Sequence, residues 1–352
     1  MTARVLMSGN EALAEGAIRG GCDCYFGYPI TPQNELTAYM SVHMPRLGRV
    51  FVQAESEVAA ISMVHGAAAA GKRALTTSSS PGVSLKQEGL SYIAGAELPM
   101  VIANIQRGGP GLGSIDPSQG DYFQSVKGGG HGDYRLIVLA PASVQEMHDF
   151  AATAFDLADR WRNPVMILAD GRLGQMMEPL SLWTKPPAPP AKPWALTGCR
   201  GRPQNIVRSY FSVEGALEKH NLAIQEKLRQ VEADECRHEA WQMEDATVML
   251  TGYGTCARLC REVVRVCRQA GIAAGLLRPV TLWPFPTAAY RRYARQVTHI
   301  LAVELSAGQM VEDVRLAVEG AVPVHFHGRL GGAVPTVGEI HARLLEILRA
   351  GG

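Results

Sequence analysis

The sequence predicts an α/β protein: a domain built on a parallel sheet, followed by a smaller α/β domain. Three observations carry this. In residues 1–180, short apolar runs rich in branched residues alternate with longer stretches of helical character. The same alternation restarts at residue 246 and continues to residue 352. Between them, residues 181–245 hold a proline-rich linker and a charged helix. Strands alternating with helices imply parallel pairing with both sheet faces covered. A chain of 352 residues is long enough for two domains, each with its own core.

Taken in order, "GNEALAEGAIRGG" reads as a helix and "CYFGYP" as the end of a strand. The next helix is "SEVAAISMVHGAAAAG". Past Glu57 it is almost wholly apolar or small until Lys72, the mark of a helix buried all round. "RALTTSS" is a strand, "GVSLKQEGLSYIAG" a helix, and "PMVIANI" and "YRLIVLAP" are strands. "SVQEMHDFAATAFDLADRW" closes the domain as a helix against the strand "NPVMILAD". "SLWTKPPAPPAKPW" is an extended linker. "LEKHNLAIQEKLRQVEADECRHEAWQMED" reads as one helix, its mixed charges at i,i+4 spacing marking a solvated face. The second domain runs through the strands "ATVMLTGYG", "IAAGLLRPVTLWPFP", "VTHILAVEL" and "AVPVHFHG", the helix "TCARLCREVVRVCRQAG", and a closing amphipathic helix "TVGEIHARLLEILRAGG".

Composition removes several function classes. A net charge of +1 without a basic block argues against nucleic-acid binding. No apolar run approaches the ~20 residues of a membrane helix, and the N-terminus lacks the apolar core of a signal peptide. A soluble, cytoplasmic protein is expected. The seven cysteines contain no C-x-x-C pair, so buried reduced thiols are expected and no iron–sulfur cluster. "GGPGLG" and "GYGTCA" miss the register of a dinucleotide-binding loop, and "KGGGHGDY", with His131, reads as a flexible loop.

In an open parallel sheet, ligands bind beyond the carboxyl ends of the strands. Three strand ends here are followed by "YPITPQNE" with Thr31, "SSSPGVSL" with Ser78, Ser79 and Ser80, and "QRGGPGLGS" with Arg107. Together they offer hydroxyls, glycine amides and one fixed positive charge, a set suited to a small carboxylate. The same segments also suit ordinary turns. Glu55 and Glu57 fall at the mouth of the apolar helix, where its N-terminus favours a carboxylate.

At "YPITPQNE", "ESEVAAISMVHGAAAAGKRALTTSSSPGVSLKQEGL" and "IQRGGPGLGSIDPSQGDYF" together, the chain resembles the α-type subunits of the 2-oxoacid:ferredoxin oxidoreductases. The resemblance covers nearly the whole chain. "VQAESEVAA" and "GGGHGDYRLIVLAPASVQEM" are similar to the branch that acts on 3-methyl-2-oxobutanoate (2-ketoisovalerate). It implies a pyrimidine-binding domain of the thiamine diphosphate type, followed by a domain similar to the C-terminal domain of transketolase that serves assembly. It implies that Glu57 rather than Glu55 meets the cofactor's aminopyrimidine. A carboxyl there favours the imino tautomer, which takes the proton from the thiazolium carbon. Thr31 and Arg107 are implied to hold the substrate carboxylate, the two prolines fixing the backbone around Thr31. Tyr28, Pro29, Ser79 and Ser80 are implied to lie beside the pyrimidine.

The family's G-D-G motif with following asparagines, which holds diphosphate and Mg²⁺, has only a superficial echo in "ADGRLGQ". The resemblance therefore implies half an active site. A β-type subunit would bring the diphosphate site, Mg²⁺ and an iron–sulfur cluster. A ferredoxin-like subunit would bring further clusters, and a γ-type subunit would complete the assembly. Coenzyme A would be co-substrate and ferredoxin the electron acceptor. The 2-oxoglutarate enzyme of the same family is the near alternative, and its second carboxylate would call for another basic residue near Arg107. A subunit serving assembly alone is the other alternative.

Overall fold

The computed structural model describes residues 4–183 and 189–350. Part of the expected proline-rich linker, residues 184–188, lies outside the described residues. The first domain begins with β1 (Arg4–Ser8) and α1 (Gly9–Arg19), whose N-terminus is closed by a Ser8–Glu11 capping box. It continues through β2 (Cys24–Gly27), α2 (Asn34–Arg46), β3 (Val50–Gln53), α3 (Glu57–Ala69) and β4 (Ala74–Ser78). Then come α4 (Pro81–Leu85), α5 (Gln87–Gly95), β5 (Met100–Gln106), α6 (Tyr122–Val126) and β6 (Ile137–Leu139). The long α7 (Val144–Trp161), β7 (Pro164–Asp170), α8 (Gly171–Gln175) and β8 (Met177–Ser181) complete it.

β4, β5 and β7 are buried along their whole length, as central strands of a doubly covered sheet should be. The parallel order is β6-β7-β5-β4-β2-β3, so β2, β4 and β5 all deliver their carboxyl ends to one edge. α1 packs along α7 on one face, and α3 lies against β2, β4 and α5. β1 and β8 form a separate antiparallel pair.

After the linker, α9 (Ala216–Asp234) is shorter than the charged stretch suggests. The chain then forms β9 (His238–Trp241), so "HEAW" is a strand and not the end of a helix. The remaining elements are β10 (Val248–Thr251), α10 (Gly254–Gln269), β11 (Ala274–Pro279), β12 (Thr281–Trp283), α11 (Thr287–Ala294), β13 (His299–Glu304), α12 (Met310–Val318), β14 (Val324–Gly328) and α13 (Val337–Ala350). The second sheet runs β14-β13-β10-β11-β9, with β9 antiparallel at its edge. β12 joins the first sheet instead, antiparallel to β6. "LLRPVTLW" is therefore two strands in two different sheets.

Five of the seven cysteines are buried, and burial pushes the thiols of Cys22, Cys256 and Cys260 well above their ordinary range. Cys256, Cys260 and Cys267 share the inner face of α10. No helix among the described residues is long and apolar enough to cross a membrane.

α3 departs from the expectation of a helix buried all round. Val58, Ser62 and Gly66, four residues apart, form an exposed stripe along it. Tyr28, Val58, Leu85, Leu112 and Ile115 are exposed as well, and they ring the edge where the strands end.

Candidate active site

β2 ends at Gly27, and "YPITPQ" turns over the sheet edge before α2 begins. The Thr31–Pro32 peptide bond is cis. Tyr28 and Pro29 are exposed at the mouth of the site. The Thr31 hydroxyl accepts from Asn34 Nδ2 at 3.1 Å, leaving its hydrogen free to donate. The carbonyl of Thr31 accepts from Arg107 Nη1 at 3.0 Å.

Arg107 leaves the end of β5 and turns back under the same loop. Its Nη2 donates to the carbonyl of Leu112 at 3.1 Å. The residue is only 8% exposed, Nε has no partner, and no carboxylate pairs with it among the described residues. An uncompensated buried cation is costly, and an anionic ligand would relieve that cost. The loop shape rests on Gly113, whose φ of +62° and position 1.6 Å (measured to a Cβ) from the carbonyl oxygen of Gly108 admit no side chain.

Ser56 caps α3 by accepting from the Ala59 amide at 3.2 Å, which fixes Glu57 in the first turn. Glu57 is 5% exposed, whereas Glu55 is exposed. No hydrogen bond reaches the Glu57 carboxylate among the described residues. It packs on the backbone of Gly82, where a Cβ would stand 2.4 Å from Glu57 Oε1 and 2.1 Å from Ser78 Oγ. The glycine of "SSSPG" is thus the space the carboxylate occupies.

Ser78 and Ser79 are wholly buried, and both hydroxyls lack a partner. Ser80 differs: its hydroxyl donates to Asp121 Oδ2 at 2.6 Å and accepts from the Arg107 amide at 3.0 Å. That hydroxyl is committed to holding the Arg107 loop. Ser80 adopts φ 26°, a left-handed conformation unusual for serine, and Asn104 accepts its amide at 3.0 Å. Asn104 Nδ2 also donates to Asp121 at 2.9 Å. Burial raises the Asp121 carboxyl's pKa, opposed by the bonds from Ser80 and Asn104.

Sequence reasoning missed Asn104, Asp121 and Gln33. Asn104 carried a signal, a polar residue inside the apolar run "VIANI". Gln33 is buried, accepts from Thr77 Oγ1 at 2.6 Å, and leaves Nε2 without a partner. It followed the second proline and read as a turn residue.

The second domain closes one side of the site. A cleft of about 420 Å³ is lined by Ser80, Pro81 and the Arg107–Gly111 loop, and across it by Leu305, Ser306 and Leu330. Arg107 is the one basic residue of its lining. Gln119 ties the two sides: its amide donates to the Leu305 carbonyl at 2.8 Å, Oε1 accepts from the Leu305 amide at 3.0 Å, and Nε2 donates to the Tyr253 carbonyl at 2.8 Å. Asp170, the aspartate of "ADGRLGQ", caps α8 and accepts from the Thr255 hydroxyl at 2.6 Å and the Thr255 amide at 2.9 Å. It thus anchors the N-terminus of α10, and the motif joins domains. His131 is exposed, away from these groups.

Partnerless buried hydroxyls, a carboxylate without hydrogen bonds and the glycine cradle at Gly82 fit the aminopyrimidine half of thiamine diphosphate. They do not fit its diphosphate, and among the described residues no group of three or more His, Cys, Asp or Glu side chains could hold a metal ion. A parallel α/β sheet with such an edge defines a thiamine diphosphate-type domain.

Comparison with known proteins places it further. Residues 15–240 match "Pyruvate flavodoxin/ferredoxin oxidoreductase, thiamine diP-bdg", and residues 246–340 match "Pyruvate:ferredoxin oxidoreductase core domain II". The chain belongs to this oxidoreductase family. It is 49% identical to the ketoisovalerate oxidoreductase subunit VorB of Methanothermobacter thermautotrophicus, over 97% of each chain. It is 38% identical to the 2-oxoglutarate synthase subunit KorA of Archaeoglobus fulgidus, over 88% of this chain and 90% of the relative. The solved 2-oxoglutarate:ferredoxin oxidoreductase from Magnetococcus marinus, with 2-oxoglutarate, coenzyme A and succinyl-CoA bound, superposes with a TM-score of 0.87 at 26% identity. The match covers 98% of this chain and 65% of that one. A split-gene transketolase shares the fold, with a TM-score of 0.62 at 14% identity over 97% and 98% of the two chains.

Proposed function

We propose that the chain is the pyrimidine-binding subunit of a 3-methyl-2-oxobutanoate (ketoisovalerate):ferredoxin oxidoreductase. The complex converts a branched-chain 2-oxoacid and coenzyme A to acyl-CoA and CO₂, and passes two electrons to ferredoxin. The observation that carries this is Arg107, a buried cation without a counter-ion beside Thr31 and the sole basic residue lining the cleft. One cation suits the single carboxylate of a branched-chain oxoacid. A second carboxylate, as in 2-oxoglutarate, would enter this cleft without a partner, at a cost this chain offers nothing to offset. The high identity to a ketoisovalerate oxidoreductase subunit supports the same substrate.

Thiamine diphosphate, when bound, supplies the carbon nucleophile for decarboxylation. In this reading Glu57 exchanges a proton with the pyrimidine ring nitrogen, and the wholly buried Ser79 donates beside the ring. Ser80 acts through its bonds to Asp121 and Arg107, while Tyr28 and Pro29 form the exposed rim. Thr31 and Arg107 hold the oxoacid's carboxylate, and placement of that kind lowers a barrier by several kcal/mol, on the order of known proximity effects. A β-type subunit supplies Mg²⁺, the diphosphate site and an iron–sulfur cluster. γ-type and ferredoxin-like subunits complete a cytoplasmic complex. The apolar ring around the site, Val58 to Ile115, supports coverage by a partner. Retention of an unbonded buried carboxylate and an unpaired arginine argues against a role in assembly alone.

The test is CoA-dependent viologen reduction by the complex isolated anaerobically through a tag on this chain. Turnover should be faster with 3-methyl-2-oxobutanoate than with 2-oxoglutarate. The reverse order would overturn the substrate, and no reduction with either acid would overturn the activity.

A further inference from the structure

β13 of the second domain ends at Glu304, whose carboxylate is buried. It accepts from the amides of Gln309, Met310 and Val311 at 3.1, 3.0 and 2.9 Å, and from the Ser306 hydroxyl at 2.9 Å. These amides lie at the start of α12 and have no partner within the helix, so the carboxylate fixes the turn that carries Gln309. The Gln309 side chain then crosses to the first domain. Its Oε1 accepts from the Phe123 amide at 2.8 Å, and its Nε2 donates to the Gly120 carbonyl at 2.7 Å. Turning the amide over would set donor against donor and acceptor against acceptor, so its orientation is fixed. The two partners bracket Asp121, whose own amide donates to Gln106 Oε1 of the first domain at 3.1 Å. Asp121 is thus pinned by one glutamine from each domain. Its Oδ2 accepts from the Ser80 hydroxyl at 2.6 Å and from Asn104 Nδ2 at 2.9 Å. The Ser80 hydroxyl in turn accepts from the Arg107 amide at 3.0 Å. A path of hydrogen bonds and one short stretch of backbone therefore leads from Gln309 to Arg107.

Docking of the two domains does not depend on this side chain. Gln119 already bonds to Leu305 and Tyr253, and Asp313 accepts from the Tyr122 hydroxyl at 2.6 Å and pairs with Lys127. Gln309 instead acts on the peptide groups around Asp121, and it lines the same cleft as Ser80 and Arg107. We propose that Gln309 is a positioning residue for Arg107: it holds the backbone on both sides of Asp121 and so keeps the Ser80 hydroxyl aimed at the Arg107 amide. The second domain thereby takes part in binding the oxoacid, beyond assembly. A displaced Asp121 would release the Ser80 hydroxyl, and the Arg107 backbone would lose the acceptor that sets where its guanidinium starts. The inference rests on the reading of Arg107 as the group that holds the oxoacid's carboxylate.

The test is steady-state viologen reduction by the complex isolated through a tag on this chain, with KM for 3-methyl-2-oxobutanoate and KM for coenzyme A read separately. Wild type, Gln309→Met, Gln309→Glu, Ser80→Ala and the double variant of Gln309→Met with Ser80→Ala are compared. Gln309→Met keeps the length and removes both bonds. Gln309→Glu keeps an acceptor for the Phe123 amide and loses the donor to Gly120. Both should raise KM for the oxoacid about three- to tenfold, the weight of a lost hydrogen bond, and leave KM for coenzyme A unchanged. In the Ser80→Ala background the rise should vanish to within about twofold, because Arg107 is already released. An unmoved oxoacid KM overturns the proposal, as does an equal rise for coenzyme A or a full rise that persists without the Ser80 hydroxyl. Loss of the assembled complex in both single variants of Gln309 would make it structural and overturn the proposal too. Failure of the underlying reading looks different: Arg107→Ala would then leave KM for the oxoacid at its wild-type value.

Discussion

Two regions of this molecule bury polar groups, and they do so in opposite ways. At the seam between domains, Asp170, Thr255, Gln119 and Leu305 pair with one another at 2.6 to 3.0 Å. At the strand-end edge, Ser78 Oγ, Ser79 Oγ, Gln33 Nε2 and Arg107 Nε have no partner. Burying a polar group without a hydrogen bond costs about 1–3 kcal/mol, so a fold does not accumulate such groups without a return. The seam is paired because it holds the fold together. On the function proposed above, the edge is left unpaired because its partners come from outside the chain.

The comparison breaks first at Glu57. Glu57→Gln keeps shape and burial but removes the proton exchange, and turnover of the assembled complex should fall about 100-fold or more while subunit composition is unchanged. An active, intact complex would remove Glu57 from the chemistry. Arg107→Ala comes next. Losing a charge-assisted contact of about 1.5–3 kcal/mol should raise KM for the oxoacid by roughly one to two powers of ten, with less effect on kcat. Steady-state kinetics with an unchanged KM would clear Arg107 of that role.

Gly82→Ala sharpens the comparison from the side of packing. Its Cβ would enter space held by Ser78 Oγ at 2.1 Å and Glu57 Oε1 at 2.4 Å. Displacement of the carboxylate should weaken thiamine diphosphate binding about tenfold and cost about 1–3 kcal/mol of stability. The smallest effect is expected at the seam. Thr255→Val removes the hydroxyl that donates to Asp170 and should cost about 1–2 kcal/mol in thermal or denaturant unfolding. Its kcat should stay near wild type, and a large loss of kcat would mean that the seam takes part in catalysis.

The strand ends were legible in the sequence because turn chemistry is local. Prolines, glycines and serines punctuate a chain wherever it must turn: Thr31 lies between Pro29 and Pro32, Ser79 within the serine run before Pro81, and Arg107 just before Gly108. The exposed stripe on α3 was not legible, because hydrophobicity reports burial without saying whether this chain or another provides the cover. The burial of Lys86 was invisible for a related reason. In "SLKQEG" it reads as a surface lysine, and only the packing of α4 against β4 and α3 turns it inward. The splitting of "LLRPVTLW" between two sheets depends on pairing with Ile137–Leu139, over a hundred residues earlier, which no local pattern encodes.

That last feature bears on how the polypeptide is made. β9, which precedes the second domain's central strands, edges the second sheet, and β12, which interrupts that domain, edges the first. A ribosome that has released residues 1–180 has produced most of the first sheet but not its outer strand. β6 then waits with an open row of amide and carbonyl groups until residues 281–283 emerge, and an open edge is where strands from other chains pair. Expressed fragments that end near residue 245 should therefore self-associate, and they would be rescued by a segment carrying Thr281–Trp283 supplied in trans.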